Sequence, residues 1–165
     1  MPVEIERRFL IQGDSWKEYI QNFNYIEQGY LVSSPSDWIV RIRQEKEKYK
    51  LALKKYIDKI SNHEFEYIIP CNEGEVIMSL TDFKIQKKRY YLLVEKQEWI
   101  IDCFEGNNYP LKIAEIELKN LKTILQLPCF IFKEITGLKS FSNYELSQYP
   151  FTKWNKEEKN NLLTH

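Results

Sequence analysis

The chain reads as an α+β protein that is mainly antiparallel β: eight or nine strands curled into a barrel, with a few short helices packed outside. Three observations predict this. Apolar and polar residues alternate at period two through most of the body, the mark of strands with two chemically different faces. The strand segments follow one another through short turns, which makes sequence neighbours antiparallel neighbours. Pairs of like charges recur at spacing i, i+2, so each such strand carries them on one face.

The elements follow in order. Val3 to Ile11 is a strand, and Asp14 to Ile20 opens on capping residues and reads as a short helix. Tyr25 to Val32, Trp38 to Glu45 and Tyr49 to Tyr56 are strands, the last two joined by the sign-alternating turn Glu45-Lys46-Glu47-Lys48. Glu64 to Ile69 is a strand ended by Pro70, and Cys71 to Leu80 a helix. Ile85 to Glu95, Trp99 to Phe104 and Leu111 to Leu118 are strands. Leu121 to Leu127 reads as a helix stopped by Pro128, Phe130 to Thr136 as the closing strand, and Asn143 to Gln148 as a last short helix. The 165 residues make one domain, residues 1–150, followed at 151–165 by a polar tail or a short helix; a helix over Trp154 to Leu163 would cap one mouth of the barrel.

Composition narrows the function. With 43% hydrophobic and 15% aromatic residues the chain can bury a core, which excludes disorder. Lys+Arg and Asp+Glu both number 24, so no global field favours nucleic acid or an acidic membrane surface. The 3 cysteines, Cys71, Cys103 and Cys129, are dispersed and suit reduced thiols better than zinc or disulfides. No apolar run is long enough to span a membrane and the first residues are charged, so a soluble, cytoplasmic protein is expected. Trp16, Trp38 and Trp99 read as packing residues, and His63, alternating with Glu64, faces away from the charges.

The informative feature is the placement of charge. Glu4, Glu6 and Arg8 share one strand face; Arg41 with Arg43, Glu64 with Glu66, Lys87 with Arg89, and Glu115 with Glu117 repeat the spacing, and Lys54 stands on another strand. The residues between or beside them, such as Ile5, Val40, Ile42, Phe65, Ile116 and Leu118, need burial, so the charges point into the barrel if these face the outer packing. Same-strand carboxylates stand about 6.7 Å apart. At an effective dielectric near 20 they repel by about 2.5 kcal/mol, a cost that a divalent cation removes. The six bases Arg8, Arg41, Arg43, Lys54, Lys87 and Arg89 suit several phosphates, and the six glutamates suit their metal ions. A mixed lumen of this kind fits a polyphosphate with Mg²⁺ or Mn²⁺.

These residues resemble the triphosphate tunnel metalloenzymes, the CYTH superfamily. Glu4-Ile5-Glu6-Arg7-Arg8 is similar to the ExExK strand, and Gln28-Gly29-Tyr30-Leu31 to the bacterial words that follow. Arg41-Ile42-Arg43 is similar to RxR, Leu53-Lys54 to the next lysine, and Glu64-Phe65-Glu66 with Pro70 to a further acidic strand. Lys87-Lys88-Arg89-Tyr90 looks like KxRY, and Trp99, Asp102, Phe104 and Gly106 look like WxxDxFxG. Glu115-Ile116-Glu117 and Glu134-Ile135-Thr136, then Asn143 and Leu146, complete the resemblance from residue 3 to about residue 150. It implies an eight-stranded closed β-barrel tunnel and, from the wording, an inorganic triphosphatase-like member.

The resemblance also implies roles. Glu4, Glu6, Glu64, Glu66, Glu115 and Glu117 would be metal ligands, with Asp102 a lesser acid of the site. Arg8, Arg41, Arg43, Lys54, Lys87 and Arg89 would bind phosphate, and Glu4, Glu6, Arg8 and Tyr30 would be the catalytic set. The substrate would be inorganic tripolyphosphate or an organic triphosphate, with no membrane or nucleic-acid partner and with a homodimer allowed. Two departures stand out: Arg8 replaces the signature lysine, and Asn62 replaces an arginine before the acidic strand. Arg8 gives weight to a second reading, a non-catalytic polyphosphate- or nucleotide-binding module. A third, an adenylate cyclase, lacks any residue that reads adenine.

Overall fold

The computed structural model describes residues 3–31, 38–160 and 162. Within them nine strands form one sheet, every pairing antiparallel. The strands are β1 (Val3–Ile11), β2 (Ile20–Tyr30), β3 (Trp38–Glu45), β4 (Lys48–Tyr56), β5 (Ser61–Ile69), β6 (Phe83–Val94), β7 (Gln97–Phe104), β8 (Lys112–Glu117) and β9 (Ile131–Glu134). Three short helices accompany them: α1 (Cys71–Ser79) between β5 and β6, and α2 (Asn143–Gln148) and α3 (Lys156–Asn160) after β9.

The order β5-β4-β3-β2-β6-β7-β8-β1 closes on itself through β1–β5, where Val3 faces His63 and Ile5 faces Ser61. The eight-stranded barrel expected from the sequence is therefore formed. Closure leaves no open sheet edge among these staves, and it commits alternate residues of every strand to the lumen. β9 is not a stave. It takes the edge of β1 that β5 leaves, with Phe9 opposite Glu134, and so lengthens the wall beyond the closed ring.

Outside the barrel, apolar residues are covered in two places. On β1, β7 and β8 the outward residues Phe9, Ile101, Ala114 and Ile116 pack with Trp16, Trp99 and Phe130. On β3 and β4, Ile42 and Tyr49 pack with Met78 of α1. A third cluster lies inside. Leu10, Ile85, Phe104 and Ile113 share the lumen face with Arg8, Lys87, Asp102 and Glu115, and they pack against Phe141, Leu146 and Trp154. The C-terminal segment thus floors one end of the barrel with an apolar layer. Trp154 is buried there, so residues 151–160 are anchored rather than loose.

Several sequence expectations are corrected. Leu121–Leu127 is not a helix but a turn and irregular chain. Asn120 takes the first turn for itself, its Oδ1 accepting from Lys122 N at 2.9 Å. Seven residues with β-branched Thr123 and Ile124 are too short to hold a helix without a buried face, and Leu121, Ile124 and Leu127 are exposed. The segment expected as a helix over Asp14–Ile20 is a 3₁₀ turn, Ser15–Tyr19, and β2 begins five residues earlier than its apolar pattern at Tyr25. Helix α3 is shorter than Trp154 to Leu163. Trp38 is 39% exposed beneath the Lys55 ammonium rather than packed in a core. Met1, Pro2, Val32, Leu163 and His165 lie outside the described residues. No helix among the described residues is long and apolar enough to cross a membrane.

The seat of α1 supplies a test. A Cβ on Gly74 would overlap Cγ and Cβ of Tyr49, which is buried and cannot swing clear. Gly74→Ala is expected to cost about 1–3 kcal/mol through overpacking, despite the better helix propensity of alanine. A lowered Tm in thermal unfolding checks this; an unchanged or raised Tm contradicts it.

Candidate functional site

Every like-charge pair found in the sequence lies on the lumen face, and the barrel brings most of them into contact across it. Two networks result. In the first, Arg8 Nε donates to Glu115 Oε1 at 3.0 Å and Arg89 Nη2 to Glu115 Oε2 at 3.1 Å. Arg89 also clasps Asp102 with two bonds, Nε to Oδ1 at 2.7 Å and Nη2 to Oδ2 at 2.8 Å. Lys87 Nζ reaches the same Oδ2 at 2.5 Å and Asn143 Oδ1 of α2 at 3.1 Å. In the second network Arg41 Nη2 bridges Glu64 at 2.9 Å and Glu66 at 3.1 Å. Lys54 Nζ stands 2.8 Å from both Glu4 and Glu64, and Lys50 Nζ 2.7 Å from Glu66.

The remaining predicted residues fall between or beyond these networks. Glu6 lines the lumen beside Arg8 and forms no ion pair among the described residues. Glu117 faces Glu6 in the β1–β8 ladder but is exposed at the end of β8, outside both networks. Arg43 is held by Gln28, its Nε donating to Oε1 at 3.4 Å, and Gln28 Nε2 donates to the Tyr30 hydroxyl at 2.7 Å. Tyr30 also packs edge-on against Tyr144 of α2. Asp102 is locked between two bases and wholly buried, so it orients Lys87 and Arg89 rather than offering free oxygens. Asn62, in place of an arginine, donates to Glu4 Oε2 at 3.2 Å and so serves the acid instead of a phosphate. His63 alternates with Glu64 and faces away from the lumen, as expected.

Gln28, Lys50 and Asn143 were given no site role by the sequence, although Gln28 and Asn143 stand in matching words. The first two had a signal: Gln28 is two residues from Tyr30, and Lys50 is four from Lys54, so each shares its neighbour's strand face. Asn143 reaches the lumen only because α2 floors the barrel, which no local pattern shows.

Enclosure shapes the protonation of the site. Burial, with Glu64 and Glu6 nearby, pushes the Glu4 carboxyl up to about 7 against the pull of Lys54. Burial would raise Glu64 too, but the proton it receives from Glu4, with Lys54 and Arg41, holds it at about 2. Glu6 is raised by burial and by Glu115. Among the bases, burial takes Lys87 down to about 8 even beside Asp102, and takes Arg43 down to about 10 with help from Arg41 and Arg89. Tyr30 is raised to about 12 by burial and stays a neutral phenol.

Two buried guanidinium atoms, Arg8 Nη2 and Arg41 Nε, have no hydrogen-bond partner among the described residues. A buried unpaired donor costs free energy, so each marks a place for an acceptor. The acids show the converse strain: Glu4 is raised by burial and by its neighbours Glu64 and Glu6, and Glu6 by burial and by Glu115. A divalent cation with a preference for oxygen fits this donor set. Among the described residues no three acidic, His or Cys groups stand close enough to hold an ion alone.

The chain is similar to the inorganic triphosphatase of Acetivibrio thermocellus, with 35% identity over 153 residues covering 92% of this chain and 97% of that protein. It is also similar to the inorganic triphosphatase of Nitrosomonas europaea, 29% identical over 148 residues, covering 87% and 96% of the two chains. A crystal structure of an inorganic triphosphatase superposes with a TM-score of 0.67 at 26% identity, covering 89% of this chain and 95% of that one. No protein-family model matches the chain.

The clasp on Asp102 predicts a pH-dependent stability. Burial would raise this carboxyl, but Arg89 and Lys87 prevail and hold it well below the usual carboxylate range. A depressed carboxyl contributes stability above its unfolded pKa of about 3.9 and loses it as pH falls toward the folded value. Asp102→Asn leaves two buried cations short of their counter-charge and is expected to cost about 3–5 kcal/mol at pH 6. The gap between wild type and variant, read from urea unfolding, should narrow below about pH 4. A gap that stays constant from pH 6 to pH 3 would contradict the assignment.

Proposed function

Because the chain belongs to the triphosphate tunnel metalloenzyme family, we propose that it is a divalent-metal-dependent triphosphatase that hydrolyses tripolyphosphate inside the lumen. The observation that carries this reading is the pair of buried, unpartnered guanidinium atoms, Arg8 Nη2 and Arg41 Nε, in a closed lumen that also holds crowded carboxylates. A site for a bare anion needs no glutamates, and a site for a bare cation needs no arginines.

The bases divide the work of binding. Arg8 and Arg89, fixed by Glu115, and Lys87 and Arg89, fixed by Asp102, present their remaining N–H groups without having to reorder. Arg41, Arg43 and Lys54 approach from the opposite wall and offset the charge that grows on the transferred and leaving phosphates. Glu4, Glu6, Glu64, Glu66, Glu115 and Glu117 are the oxygen donors for Mg²⁺ or Mn²⁺, with Glu6 and Glu117 free of any ion pair among the described residues. When bound, such an ion withdraws charge from phosphate oxygens and makes water a better nucleophile. Glu4, ionising at about 7 in the free protein, can hold a proton at neutral pH, whereas Arg8 cannot give one up. Arg8 is thus a gripping residue, and Tyr30 acts as a neutral donor beside Gln28.

The direct test is phosphate release from tripolyphosphate, ATP and thiamine triphosphate with and without Mg²⁺ or Mn²⁺. Metal-dependent release from tripolyphosphate is expected. Binding without turnover would favour a non-catalytic module, and cyclic AMP from ATP would favour a cyclase. Glu4→Gln and Glu117→Gln are expected to lose activity with the fold retained, as judged by circular dichroism. Full activity in both would remove the metal assignment.

Lys87 sets a second expectation. It is charged below about 8 and neutral above, and phosphate needs the charged form. The value of kcat/KM for tripolyphosphate should therefore fall as pH rises through about 8. Lys87→Arg should move this limb upward by more than one pH unit, since arginine stays charged. An alkaline limb that is unmoved in the variant would assign it to another group.

A further inference from the structure

The hydrogen bonds around Tyr30 have a direction that its neighbours dictate. Gln28 and Tyr30 stand two residues apart on the lumen face of β2, opposite Arg43 and Arg41 of β3. Gln28 is wholly buried and Tyr30 nearly so. A side-chain amide is asymmetric: its oxygen only accepts and its nitrogen only donates. A guanidinium only donates, so the end of Gln28 that faces Arg43 is the oxygen. That is the arrangement found, with Arg43 Nε donating to Gln28 Oε1 at 3.4 Å. The nitrogen is left for Tyr30, and Nε2 donates to its hydroxyl at 2.7 Å.

The hydroxyl is therefore an acceptor on the Gln28 side, and its one proton must point away from the amide. Among the described residues no group accepts that proton. The cations that act on Tyr30 are Arg41, Arg43 and Lys54, and none of them can accept a hydrogen bond. Tyr144 of α2 meets Tyr30 ring against ring, in a T-shaped contact. Burial holds the phenol at about 12, so the proton is present at neutral pH. An unspent donor among cations, in a lumen, is a place for an anionic oxygen.

We propose that Gln28 is a positioning residue that sets the direction of the Tyr30 hydroxyl. Oriented by Arg43, it donates to the phenol oxygen and so turns the Tyr30 proton into the lumen, as a donor to a substrate phosphate oxygen. The inference rests on the reading of the lumen as a phosphate site and adds the residue that fixes one of its donors in advance. A hydroxyl free to rotate would have to be ordered when the phosphate arrives. Gln28→Glu keeps the shape of the side chain and reverses its polarity. The carboxylate still accepts from Arg43, but it also accepts from Tyr30 and draws the proton away from the lumen. Gln28→Met has a similar length and no charge, and it leaves the hydroxyl free to rotate.

The test is a double-mutant cycle with Tyr30→Phe, which keeps the ring and removes the hydroxyl. Affinity is measured by calorimetry, with Mn²⁺, for the imido analogue of tripolyphosphate, in which N–H groups replace the bridging oxygens and hydrolysis is blocked. Turnover of tripolyphosphate is followed beside it. Gln28→Glu should weaken binding of the analogue by about thirtyfold, and about tenfold less than that in the Tyr30→Phe background, where only the added charge acts. Gln28→Met should lose about three- to tenfold with Tyr30 present and less than about twofold with Tyr30→Phe. A loss that is the same in both backgrounds overturns the proposal, because Gln28 would then act by packing or charge and not through Tyr30. A Gln28→Met protein that binds as wild type does also overturns it. If Gln28→Glu fails to fold, as judged by circular dichroism, the Gln28→Met cycle decides alone. Absence of tripolyphosphate turnover in the wild type would count against the hydrolase reading only, since the cycle in analogue affinity still decides the role of Gln28. A wild type that does not bind the analogue overturns both.

Discussion

A closed barrel whose inward face is charged has one governing constraint: every charge on that face must find a partner inside the lumen. Water and counter-ions reach it only through the mouths, and an isolated buried charge costs several kcal/mol. The two ion-pair networks are the response. Arg8, Glu115, Arg89, Asp102 and Lys87 form one chain of contacts, and Arg41, Lys54, Lys50, Glu4, Glu64 and Glu66 form the other. Where pairing fails, the protein keeps a group neutral or strained, as in the raised Glu6 carboxyl, which has no ion pair among the described residues, and the unpartnered guanidinium atoms of Arg8 and Arg41. These failures are where the chemistry belongs. A lumen satisfied in full would have no reason to bind anything.

The same constraint decides where the apolar core can go. In a barrel with a dry interior the core would be the lumen. Here it is displaced to the outer wall, around Phe9, Trp99 and Phe130, and to the floor, where Leu10, Ile85, Phe104 and Ile113 meet the C-terminal segment. That is why helix α2, six residues long and without independent stability, is ordered. It lays Leu146 on the floor, and it sends Asn143 to Lys87 and Tyr144 to Tyr30. The floor thus also positions lumen residues, so packing and site are not separable at this end.

Period-two reasoning read the barrel staves well because the lumen residues differ so sharply from their neighbours. Arg41-Ile42-Arg43 and Lys87-Lys88-Arg89 betray their inner face without any long-range information. The same local logic failed at Leu121–Leu127, where apolar spacing suggested a helix but the residues have little surface to bury against, and at Phe130–Thr136, where it identified a strand but not that the ring had already closed. It did not reveal the role of Asp102, which the sequence marked only as a lesser acid of the site. A lone acid at a matching position says nothing about two bases clasping it, and only the β6–β7 register, which sets Arg89 opposite Asp102, reveals the clasp. Residues whose role depends on partners across the lumen are legible only once the circuit of strands is known.

Arg8 shows how the enclosed charge balance bears on a single substitution. A lysine at this place would offer one compact charge, and in a site that lowers Lys87 to about 8 it could lose its proton near neutral pH. Arginine forgoes that freedom and gains reach. Its Nε holds Glu115, its Nη1 donates to the Phe141 carbonyl of the floor at 3.0 Å, and Nη2 is left for the lumen. One side chain therefore ties the acid of β8, the C-terminal floor and the ligand space together. The exchange trades a group that could move a proton for one that fixes geometry. On the proposed reading proton handling falls to the carboxylates, of which Glu4, raised to about 7 by burial, is the candidate.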